Sequence, residues 1–156
     1  MMCGIMTATN GETQDFGTDL SIATACRAAD VDYDDFTLAV AAGSYPCLPV
    51  DAGGAGRSFD ETDLLALYIY GRLLSFGFGA LRAGEYACRM HAALRANAHA
   101  RVVSIALTTT GGKRVTVDVA ASPAPAIFPG KLEFDIAAIR DFLKARIEAI
   151  PEGRPA

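Results

Sequence analysis

SIATACRAADVDYDDFTLAVAAG, residues 21–43, holds two helical patterns separated by a short polar break. Ser21 is a side chain that caps a helix N-terminus, and Ile22, Ala25 and Cys26 fall on one face. A short helix is therefore expected over 20–30. Asp32 stands where the next cap belongs, Asp35 follows three residues on, and Gly43 is a stop. A second helix is expected over 31–43. The adjacent carboxylates Asp34 and Asp35 diverge at a helix start, so they read as capping residues and not as an acid/base pair.

Downstream, Pro46 and Pro49 predict an extended SYPCLPV (44–50). GGAGRSFDETDLLAL (53–67) follows, with glycines ahead of a helix. A phosphate loop needs Gly-Lys at its end, but Ser58 and Phe59 stand there. A dinucleotide turn needs a third glycine where this chain has Phe59. Asp60, Glu61 and Asp63 at the helix start would repel an anion. A glycine turn and a capped helix remain, with Asp60 as cap, Asp63 at the third position and an end near Phe76. Gly77 and Gly79 break the pattern before a fourth helix at 80–97.

The C-terminal part changes character. VVSIAL (102–107) and RVTVDVA (114–120) read as strands joined by a Gly-Gly turn, with Val115, Val117 and Val119 on one face. SPAPAIFPGKLEF (122–134) reads as a proline-rich linker. FDIAAIRDFLKARIEAI (134–150) reads as an amphipathic helix capped by Asp135. Its stripe of Ile136, Ile139, Leu143 and Ile147 is expected to pack on the valine face of the hairpin. Residues 1–17 are expected to be a flexible arm without the features of a signal peptide.

With 156 residues, half of them apolar, the chain can build a packed core. Its charge is lopsided. Residues 1–65 carry eleven acids and two bases, for −9, whereas 66–156 carry +5. Within 71–114 seven bases face one acid, Glu85. The apolar run 64–81 has bilayer length, but Arg72 in its middle argues for a buried helix. Cys3, Cys26, Cys47 and Cys88 are scattered, which points to reduced thiols in a cytoplasmic protein. Cys88 and His91 have a chelating spacing, but two ligands do not make a site, so no metal and no cofactor is expected. Neither His91 nor His99 has a partner evident in sequence, and hydrolase chemistry has no support.

The order helix, turn, helix, extended segment, glycine turn and helix resembles the MerR-type winged helix-turn-helix. Val31-Asp32-Tyr33-Asp34-Asp35-Phe36 stands where that family has Val-Ser-Pro-x-Thr-Leu. Gly43-Ser44-Tyr45-Pro46 matches its step out of the second helix, and Gly56-Arg57-Ser58-Phe59 its Tyr-Arg-x-Tyr wing end. Asp63-Leu64, Leu67, Ile69, Leu73, Gly77 and Phe78 match its third helix. The likeness covers about 60 residues. It implies an α+β chain with a winged helix domain at 18–97, followed by a hairpin-and-helix lobe at 100–150 for dimerisation or partner contact. It also implies double-stranded DNA as a partner of a non-enzymatic transcription regulator, of a kind shared with phage and mobile-element factors. The residues implied in DNA contact are Ser21, Tyr33, Asp34, Thr37, Arg57 and Ser58, with Arg72 lending charge. Several positions depart from the family. Thr37 replaces a common arginine, Asp30 replaces the turn glycine, and the second helix has no base at all. DNA affinity rests on Lys and Arg neutralising phosphates, so an acidic helix also suits a protein partner, as in an antirepressor.

Overall fold

The computed structural model describes residues 20–49, 58–107, 113–118 and 130–151. Among the described residues, five helices and a three-stranded antiparallel sheet make an α+β fold. The helices are α1 (Ile22–Ala29), α2 (Tyr33–Ala41), α3 (Glu61–Ser75), α4 (Ala80–Ala96) and α5 (Ile136–Ala149). The strands are β1 (Val102–Leu107), β2 (Lys113–Asp118) and β3 (Gly130–Asp135), in the order β2-β1-β3. The expected arm at 1–17, the glycine turn with Arg57, the hairpin tip, Val119 and most of the proline-rich stretch lie outside the described residues.

Local chemistry sets the helix ends. Ser21, Asp32, Asp60 and Asp135 each accept from the backbone N–H three residues on. At the other ends, α2 and α3 close on Gly43 and Gly77 at positive φ, with paired bonds back to Val40 and Ala39, and to Leu74 and Leu73. α1 closes the same way on Asp30, at φ 61°, with bonds to Arg27 and Cys26. This is the position where the likeness calls for glycine, and it is the one non-glycine residue at positive φ among those described.

α3 lies at the centre of the packing. It is apolar on nearly all sides because α1, α4 and α5 all pack on it. Phe36 of α2, Tyr45 beyond it and Tyr70 of α3 meet edge to face, with centroids 4.9–5.8 Å apart. One apolar cluster runs from Ala25 in α1 through α3 and α4 to Ile105 in β1 and Leu143 in α5. Leu20 and Phe59 exchange two backbone hydrogen bonds, which tie the start of α1 to the approach of α3.

Three expectations change. The stretch read as linker ends in β3, which pairs with β1 so that Val103 faces Phe134 and Ile105 faces Leu132. Leu132 and Phe134 alternate with Lys131 and Glu133, a strand pattern that the prolines upstream obscured. The stripe of α5 turns towards α1 and α3, whereas β2 lies against α4. Arg146 of α5 donates to the carbonyls of Ala28 and Arg27, and Arg140 pairs with Glu61 at 2.6 Å. Lastly, the chain after α2 does not run straight but turns at Pro46 and Cys47. Among the described residues no helix is long and apolar enough to cross a membrane.

Candidate functional site

The exposed side of the α1–α2 pair is acidic. Asp30, Asp32, Asp34 and Asp35 are all exposed, as are Tyr33 (48%) and Leu38 (69%). Between Val31 and Gly43 there is no base. Among the described residues these aspartates form no ion pair, although Arg27 in the last turn of α1 is exposed as well. Asp32 accepts from the Asp35 N–H at 2.9 Å, and the Thr37 hydroxyl donates to the Asp34 carbonyl at 3.0 Å. Ser21 is used as the α1 cap, accepting from the Thr24 N–H. Ser58 is exposed next to the Leu20–Phe59 bridge. Arg57 lies outside the described residues.

Arg72 does not join this surface. Tyr68, Arg72 and Phe76 are four residues apart along one side of α3, and Tyr70, which meets Phe36 of α2, points roughly 160° away. Arg72 sits over the Tyr68 ring at 5.7 Å, in a groove against α5 and β3. The other arginines of α4 with assigned partners are also engaged within the fold. Arg89 pairs with Glu85, and Arg95 pairs with Asp60 and Asp63.

The α3–α4 contact holds groups that the sequence reading left apart. Asp60 and Asp63 form a reciprocal cap: each backbone N–H donates to the other's carboxylate at 2.9 Å. Across from them on α4, one turn apart, are His91 and Arg95. His91 Nε2 lies 2.8 Å from Asp63 Oδ1. A carboxylate only accepts, so that ring nitrogen carries the proton. This corrects the expectation that His91 lacks a carboxylate partner. Burial pushes the Asp60 carboxyl up, but hydrogen bonds from Arg95 and the Asp63 backbone outweigh it and hold the group below the ordinary carboxylate range. The same contacts hold Arg95 above its ordinary value against the opposing effect of burial. The geometry of the network is that of a clamp between two helices.

The segment leaving α2 is fixed to α4. Cys47 and Cys88 form a disulfide with their Cα atoms 5.4 Å apart, and the Cys47 N–H donates to Cys88 Sγ. This overturns the reading of four reduced thiols. Their 41-residue separation had concealed the pair, which the turn at Pro46 brings together. One turn before Cys88, Gly84 faces the Ser44 carbonyl so closely that a Cβ there would sit 1.7 Å from its oxygen. Cys26 stays a free, buried thiol, pushed up to about 12 by burial and then by Asp32. Among the described residues no three His, Cys, Asp or Glu side chains gather to hold a metal ion.

No family model matches this chain, and no curated protein matches it.

Proposed function

We propose that the chain is a non-catalytic regulatory protein built on a MerR-like winged helix-turn-helix. Its α2 face docks on a basic surface of a partner protein, as an antirepressor or a modulator of another regulator does. The observation that carries this reading is the charge of that face. Four exposed aspartates line the turn and first turn of α2, with no base on the helix. Arg89 and Arg95 are paired with carboxylates elsewhere, and Arg72 lies over the Tyr68 ring on another side of α3. Placed in a DNA groove, such a face would meet phosphates with like charge and release no counterions.

A second reading is favoured by the element order and the Leu20–Phe59 bridge. A winged helix pairs the chain before its first helix with the chain leaving the wing at this place. In this reading the protein is a DNA-binding transcription regulator with α2 in the major groove and Arg57 on a backbone phosphate. A homodimer would supply the two-fold symmetry such regulators use.

Fluorescence anisotropy with random and genomic duplexes at low salt tests the two. The protein-docking reading expects no binding. It also expects a partner captured from native cell extract that salt releases and that Asp34→Lys/Asp35→Lys no longer retains. Salt-sensitive duplex binding that Arg57→Ala weakens would decide for DNA.

A further inference from the structure

β3 is an edge strand: the order β2-β1-β3 gives it a partner on one side only. Its register on β1 tells which backbone groups face the free side. Val102 stands opposite Asp135, and one step further the Ile136 N–H donates to the Arg101 carbonyl at 2.9 Å. Hydrogen-bonded pairs alternate along an antiparallel ladder, so Leu132 and Phe134 turn their backbone groups to β1. Lys131 and Glu133 turn theirs outward. Among the described residues no backbone group outside the sheet meets them. Such an edge is a template for another strand.

The groove beside Arg72 runs along this same edge. Glu133 and Phe134 point to opposite faces of the sheet, yet both line it, and among the described residues none of β1 does. Its far wall carries Phe76 of α3 and Phe142 of α5, left 57% and 43% exposed. Unpaired strand and open aromatic surface therefore lie side by side.

Charge selects what fits. Lys131 and Glu133 share the face of β3 opposite to Phe134 and pair with each other at 2.9 Å, so the edge carries one charge of each sign in a fixed order. Let a second β3 run antiparallel to the first about a two-fold axis at Leu132. Each Lys131 then stands opposite the other copy's Glu133, Leu132 meets Leu132, and the outward groups of Lys131 and Glu133 find their hydrogen-bond partners. Moving the axis to Glu133 sets the two Glu133 side chains against each other, and moving it to Lys131 does the same with lysines. The axis stands perpendicular to the sheet, so both helical layers lie on one side of it, with the two aromatic grooves flanking the axis.

We propose that this edge is the interface of a homodimer, built by antiparallel pairing of β3 with β3 of a second copy about an axis at Leu132. The inference stands on the strand edge and the groove and does not depend on what α2 binds.

The test is sedimentation equilibrium of the full chain. Reversible dimerisation is expected, with a dissociation constant of about 1–100 μM, the range of a small interface. Lys131→Glu and Glu133→Lys should each weaken it at least about tenfold, because the axis puts two like-charge contacts where two complementary pairs stood. Mixed in equal amounts, the two variants should associate as tightly as the wild type, since an acidic edge then meets a basic one. Melting curves check that both fold. Phe76→Ser, at an exposed position, keeps the test decisive if either does not, and it should also weaken association. A chain that stays monomeric at about 500 μM overturns the proposal. So do single variants that dimerise like the wild type, a mixture no tighter than its components, or association that Phe76→Ser leaves unchanged.

Discussion

The α1–α2 surface and the α3–α4 contact use the same kind of acidic side chain to different ends. In both, aspartates cap helices through bonds three residues long: Asp32 for α2, and Asp60 with Asp63 for α3. At the α3–α4 contact each capping carboxylate also meets the guanidinium of Arg95 on α4, and Asp63 is hydrogen-bonded to the His91 ring besides. On α2 no cation from the described residues pairs with the aspartates, so the charge is left to act outward. A cap is a local device, whereas neutralising it requires a second element. The helix with nothing packed over its acidic side is the one that presents a field to a partner.

The largest effect is expected where the α2 exit meets α4. Gly84→Ala puts a Cβ into the Ser44 carbonyl, backbone against backbone, so the loop must move. The expected loss exceeds about 4 kcal/mol in denaturant unfolding, an outlying value for one methyl group. Removing the bridge with Cys47→Ser/Cys88→Ser should cost about 4 kcal/mol, since it closes a 41-residue separation. Reduction of the wild-type protein should lower its melting temperature and leave the double variant unaffected.

Asp63→Asn breaks the comparison most directly. It strips a buried group of its charge against His91 and Arg95 and weakens the reciprocal cap, with an expected loss of about 2 kcal/mol. The same change at Asp34 or Asp35 should stay within about 0.5 kcal/mol. Equal effects at the two places would refute the distinction. Acid sharpens it. The Asp60 pKa is lowered on folding, so its contribution is complete above the ordinary carboxylate pKa and is lost as pH falls through the depressed value. Asp60→Asn should flatten that acid limb of the melting temperature, while Asp34→Asn leaves it in place. The smallest effect is a gain. Asp30→Gly relieves the left-handed backbone at the α1–α2 turn and should stabilise by about 0.5 kcal/mol, because glycine's greater freedom when unfolded offsets part of the relief.

The candidate sites divide along the same line. The acidic face of α2 was legible because it needs only residues 30–41 and the helix period. The groove was not, because Arg72, Phe142 and Asp135 belong to three elements, and the sequence reading had grouped Arg72 with the DNA-contact residues. β3 was missed where prolines masked a two-residue alternation, and α5 was given the wrong neighbour because an apolar stripe says that it packs but not on what.

From sequence alone came the helices, their caps at Ser21, Asp32, Asp60 and Asp135, the glycine stops and the acidity of α2. All of these are settled by bonds and spacings within a few residues. Tertiary structure decided the rest. It joined Cys47 to Cys88 and Asp63 to His91 across 28 residues or more, turned α5 onto α1 and α3, and moved Arg72 into a groove away from α2. The reason is physical. A cap finds its partner on its own chain within one turn, but a cysteine, a histidine or an apolar stripe accepts any partner that the packing of distant segments brings within reach.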